Sequence, residues 1–185
     1  MPYPRRAIII ICVSAALLVL ALVVVKLTVG SSAPASKEIS VPFTSQAPEG
    51  NWQEPWQNAC EEASIVMIQN FYKDEGLTVE KARQQILEVF LLKKGTAPAS
   101  KDESLERIAE IINSGSLGWK AHVVNEPSLG MLKAELAAGR PIIAPVYAPL
   151  LGNPNYTSPG PMYHVMVITG YDDASGDFIT NDPGT

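Results

Sequence analysis

Ala7 to Val25 is an uninterrupted run of nineteen uncharged residues, dominated by Ile, Leu, Val and Ala. A helix of that length spans roughly 28 Å, close to the hydrocarbon thickness of a bilayer at about 30 Å. Arg5 and Arg6 precede the run, so the positive-inside rule keeps the N-terminus cytoplasmic and sends the rest outward. The chain therefore divides into a signal anchor over residues 1–29, a linker over 30–38 and an extracytoplasmic domain over 39–185. A cleaved signal peptide is the alternative, because Ala33-Pro34-Ala35 places small residues at a cleavage spacing and would yield a secreted product. The apolar run exceeds the usual length of such a peptide, which favours a retained single-pass anchor in the cell membrane. Cys12 follows Ile9, Ile10 and Ile11 and not the small residues that lipidation needs, so it reads as a membrane-buried cysteine. Gly30 to Lys37 (GSSAPASK) has the composition of a flexible linker.

Charge separates the same two parts. Residues 1–37 carry +4 and the remainder carries −9. A domain that acidic lacks the clustered Lys and Arg that nucleic acid requires. Two cysteines make no disulfide framework, and two histidines are too few for a multi-site metalloprotein. Neither a metal nor a cofactor is expected. The sequence says nothing of oligomeric state.

Within the exported part, Ile39 to Phe43 reads as a first strand with Pro42 at an edge position. Thr44 to Asn58 is an aperiodic loop. Cys60, Ala63, Met67, Asn70 and Phe71 then share one face of a helix. Thr78 to Phe90 forms a second, with Val79, Ala82, Ile86, Val89 and Phe90 inward. Ser100 and Glu103 have capping-box spacing before a third helix carrying Leu105, Ile108, Ile111 and Ile112. Trp119 to Val124 alternates like a strand. Ser128 to Ala138 is a fourth helix stopped by Gly139. Strands follow at Pro141 to Val146, Val165 to Ile168 and Phe178 to Thr180, with a turn over Gly170 to Gly176. Ala148 to Pro161, with four prolines and two glycines, is a long loop of the kind that is functional or disordered. Helices first and strands later predict an α+β domain.

Cys60 is the one cysteine outside the apolar run, at a helix start where the dipole and free N–H groups favour a thiolate. Alone, it would read as a buried inert residue. His164 opens the strand HVMVITGY directly after the long loop, and Asp182 closes FITNDP. Antiparallel pairing of those strands returns Asp182 to His164, the relation between a nucleophile's base and its orienting partner. Asn181, the nearest competitor, points to the opposite face of a regular strand.

The blocks VPFTSQ, NACEEASIVMI, AGRPIIAPV, HVMVITGYDD and FITNDP resemble the family-thirty-nine-like cysteine peptidases, papain-fold relatives of bacteriocin-leader processing domains. The resemblance covers residues 39–185. It implies a papain-like fold, with helices packed on an antiparallel sheet, and a peptide or protein substrate. It makes Cys60 the nucleophile, His164 the general base, Asp182 the third member and Gln46 an oxyanion donor beside the Cys60 N–H. Gln53 and Gln57 are alternative donors, because the gap from Gln46 to Cys60 is longer than usual. Glu61 and Glu62 replace the common glycine after the cysteine and oppose a neighbouring thiolate. The sequence stops two residues after Asp182-Pro183, where a closing strand is expected, so the domain reads as truncated at its C-terminal edge.

Other constellations are weaker. His122, in KAHVV, reads as an edge-strand residue. No zinc-ligand spacing joins the histidines to Cys60. Asp172, Asp173, Ser175 and Asp177 lack the registers of a calcium loop and suit a hairpin. Trp52 and Trp56 either line a cleft or anchor the loop. Two rivals to hydrolysis stand: a non-catalytic domain binding peptides or cell-wall material, and a transpeptidase or amidase using the same three residues.

Overall fold

The computed structural model describes residues 33–96 and 102–185. The signal anchor, Cys12 and Ser100 lie outside them. Among the described residues no helix is long and apolar enough to cross a membrane. Residues Ala35–Thr185 form one compact unit.

That unit is α+β and fits a papain-like arrangement of helices against an antiparallel sheet. In chain order come β1 (Ser36–Glu38), α1 (Cys60–Lys73), α2 (Val79–Thr96), α3 (Leu105–Asn113), α4 (Leu129–Ala137), β2 (Ile142–Val146), β3 (His164–Asp172) and β4 (Asp177–Asn181). All pairing is antiparallel and converges on β3. β2 covers its first half (Ile142↔Ile168 to Val146↔His164), β1 its second half, and β4 returns beside it with a bulge between Ile168 and Gly170. Gly170 permits this crowding. A Cβ there would sit 2.3 Å from the Lys37 carbonyl oxygen, so β1 approaches only a glycine.

α1 is the central element. Its sequence suggests one buried face, but every residue from Cys60 to Asn70 is buried, as in a helix surrounded on all sides. Ile65, Val66 and Met67 are at most 1% exposed, and each contributes about 1.5–3 kcal/mol of burial. α2 and α3 pack one side of α1, with Ile86, Ile108 and Ile112 in one cluster; α4 and the sheet supply Leu136 and Val167 to another.

Four expectations need correction. The first strand lies at Ser36–Glu38, three residues earlier than read: Ile39 N–H still bonds Thr169 O, but Pro42 has no donor and the Val41 carbonyl accepts from Asn181 Nδ2. Val79 is exposed, not inward. Trp119–Val124 is not a strand, because the Asn113 side chain takes both the N–H and the carbonyl of Ala121 and stands in for a partner. The third helix is capped by Ser104, whose hydroxyl accepts from Arg107 N–H. Glu103 turns inward instead.

Candidate active site

A 3₁₀ turn, Trp56–Asn58, runs into Ala59 and the first residue of α1, Cys60. Ala59 brings no side-chain cap, so the N–H groups of the first helical turn keep their capacity to bind an anion. Gln46 is buried against this turn and donates both amide hydrogens to it, to Trp56 O (3.0 Å) and Gln57 O (2.9 Å). Its Oε1 has no partner. Gln53 and Gln57 are exposed. Trp56 is a loop anchor in the core, while Trp52 remains 44% exposed.

His164 opens β3 and is buried; its Nε2 lies 2.7 Å from Asp182 Oδ1. Asp182 follows the last residue of β4, and its carboxylate is fully engaged. Oδ1 also accepts from Gly184 N–H (2.9 Å), while Oδ2 accepts from Asn153 Nδ2 (2.9 Å) and the Tyr156 hydroxyl. Burial opposes the charge, but the hydrogen bonds from His164, Tyr156 and Gly184 outweigh it and hold the Asp182 pKa below its ordinary value. An ionised Asp182 makes Nε2 the protonated nitrogen, which leaves Nδ1 as the basic one. The Tyr156 ring stands edge-on to the imidazole at 5.5 Å. Asn181 faces away, to Val41 O.

The first turn of α1 rests on the start of β3. Ser64 Oγ reaches Val165 O at 3.5 Å, and the Val165 backbone favours the charged form of the Cys60 sulfur. The residue after His164 therefore acts on the thiol. The thiol itself donates to Glu61 Oε2 at 3.2 Å. Here the expectation of a dipole-lowered thiolate fails. Burial, then the charge and hydrogen bond of Glu61, push the Cys60 pKa well above its ordinary value, and Val165 recovers only part.

Behind the thiol lies a buried ionic cluster. Glu61 Oε1 accepts from Glu103 N–H (2.9 Å), and Lys93 Nζ reaches Glu62 Oε1 (3.1 Å) and Glu103 Oε1 (3.4 Å). Burial, reinforced by the Glu61 charge and only partly offset by Lys93, raises Glu62 to about 7. Its Oε2 has no partner.

Several of these residues escape a sequence reading. Tyr156 and Asn153 sit in the long loop before His164, whose length is the one signal for them. Gly184 is a second: a Cβ there would lie 3.1 Å from His164 Cε1 and 3.2 Å from Asp182 Oδ1. Lys93 looks like an ordinary solvated lysine near a helix end. His122 is exposed, and among the described residues no group of three His, Cys, Asp or Glu could hold a metal ion. A cleft of about 630 Å³ runs between α3, α4 and β2, past Trp119 and Ile143, and none of Cys60, His164, Asp182 or Gln46 lines it.

No curated protein and no solved structure matches the chain. The model of the Peptidase_C39 like family matches residues 38–185, which include every residue of this site, and the chain belongs to that family.

Proposed function

We propose that this member of the Peptidase_C39 like family is a cysteine peptidase that cleaves peptide bonds through a thioester on Cys60. The observation that carries the reading is the His164 Nε2–Asp182 Oδ1 bond at 2.7 Å, one residue from Val165, whose carbonyl meets Ser64 in the helix that Cys60 opens. In this scheme the Cys60 proton passes to His164 Nδ1, and the electron pair left on sulfur attacks the scissile carbonyl. The Cys60 N–H receives the oxyanion together with Gln46, which exchanges its bond to Gln57 O for one to substrate. The imidazolium protonates the departing amine, and water activated by the same nitrogen hydrolyses the thioester. Asp182 holds the imidazole tautomer throughout. The apolar run behind Arg5-Arg6 supports a placement of the domain on the outer face of the membrane, with extracytoplasmic peptides or proteins as substrate.

One observation favours a peptide-binding domain without hydrolysis: the thiol donates to Glu61. The two readings separate on the full-length protein incubated with a peptide library and sampled by mass spectrometry. Hydrolysis is expected from the wild type and lost in Cys60→Ala. Asp182→Asn should retain partial activity and Asp182→Ala far less, while Asn181→Ala should change little. Peptide binding without cleavage products, unchanged by Cys60→Ala, would establish the binding domain.

A further inference from the structure

We propose that Glu61 is a positioning residue for the nucleophile, taking the thiol's hydrogen bond so that Cys60 rests as a neutral thiol. The inference rests on the reading of Cys60 as nucleophile and deepens it. Adjacent helix residues do not ordinarily face one another, yet at this helix start Cys60 Sγ and Glu61 Oε2 are 3.2 Å apart. The carboxylate is no mobile surface group. It is 2% exposed, and its other oxygen is pinned by Glu103 N–H at 2.9 Å. A glutamate needed only for the helix dipole would serve as well in solvent, without the desolvation that burial costs.

The charged surroundings leave the assignment to Glu61. On α1 the other neighbour is Glu62; from α2 comes Lys93, which answers Glu62 and Glu103. From the β3 side come His164, whose Nε2 is committed to Asp182, and the phenols of Tyr156 and Tyr163, whose hydroxyls donate to Asp182 and to the Glu103 carbonyl. Glu61 is the side chain that holds the thiol hydrogen. The catalytic proton transfer therefore begins by breaking this bond: the S–H proton goes to His164 Nδ1, and the electron pair stays on sulfur.

Glu61→Gln tests the assignment. The glutamine Oε1 can still accept from Glu103 N–H, but its Nε2 donates to sulfur where the carboxylate accepted. The readout is the iodoacetamide rate of Cys60 against pH in the full-length protein, with Cys60→Ala as the blank. Each unit by which the thiol pKa falls gives tenfold more thiolate, less a fall in nucleophilicity, or about three- to fourfold in rate near neutral pH. A folded Glu61→Gln protein with a lower apparent thiol pKa and a rate at least threefold faster supports the proposal. An unchanged or slower profile overturns it. Should the variant not fold, the infrared S–H stretch of the wild type, as a difference against Cys60→Ala, decides. A band shifted as for a donated bond at pH 8 supports Glu61; a missing or unshifted band overturns it. His164→Ala run alongside keeps the two readings apart: acceleration by Glu61→Gln with no response to His164→Ala would remove the base and leave the Glu61 bond.

Discussion

Two carboxylates flank the candidate site, Asp182 half-buried and Glu62 buried, and their pKa values move in opposite directions. Asp182 receives hydrogen bonds from His164, Asn153, Tyr156 and Gly184 and stays ionised. Glu62 shares Lys93 with Glu103, keeps one oxygen unpartnered and is pushed to about 7. Glu62 is the deeper of the two, and the supply of donors and the nearness of like charge add to that difference. The His164 side holds one negative charge in a fixed place. The Cys60 side is crowded with acids, which oppose a thiolate there.

The strongest way to break this contrast is to remove the base. His164→Ala should lower kcat/KM about 10³-fold, near 4 kcal/mol, as read by initial rates on any peptide that the wild type cleaves. A fall of less than tenfold would mean that the nucleophile side finds its own proton acceptor.

Stability against pH sharpens the comparison, because the two carboxylates have opposite slopes. Glu62 has a raised folded pKa, so between about 4.5 and about 7 the unfolded chain loses its proton while the folded one keeps it. Stability falls as pH rises through that window, by about 3 kcal/mol at most. Asp182 has a depressed folded pKa, so its contribution is present above the ordinary aspartate value of about 3.9 and is lost as pH falls through the folded one. Urea melts at pH 5 and pH 8 should show the wild type less stable at pH 8, and Glu62→Gln should abolish most of that difference. An identical difference in the variant would contradict the assignment.

The smallest expected effect is at Tyr156. Tyr156→Phe keeps the ring against His164 and deletes one of the Asp182 donors. Activity should fall about three- to tenfold, from a lost hydrogen bond of about 1 kcal/mol, with the optimum little moved. A larger loss would mean that the phenol itself touches substrate.

Much of this was legible in the sequence because it is written locally. A helix beginning at Cys60, a hairpin around Gly176, and the order His164 then Asp182 depend on short-range spacing and turn residues. The eventual pairing of Asp182, and not Asn181, with His164 follows from the alternation of a strand. What stayed hidden depends on distant partners. Alternation in Trp119–Val124 looks like a strand until Asn113 supplies the hydrogen bonds a neighbour would have made. Lys93 is buried only because Glu62 and Glu103 converge on it from elsewhere in the chain. Gln46 carries a family role in its motif, but nothing in that motif says that Trp56 O and Gln57 O already hold both of its hydrogens.

The segment before Cys60 is tied to the residue after Asp182: Ser45 Oγ, 138 residues away in sequence, and Gln46 N–H both bond Pro183 O. Contacts so far apart form only after the whole intervening chain exists. At a synthesis rate of about 5–20 residues per second, roughly 7 to 30 s separate the appearance of Ser45 from that of Pro183. During that interval Cys60 has already been made, but His164 comes late and Asp182 almost last. A growing chain thus carries Cys60 before the residues that surround it. The order of the residues along the chain sets when the site can be assembled.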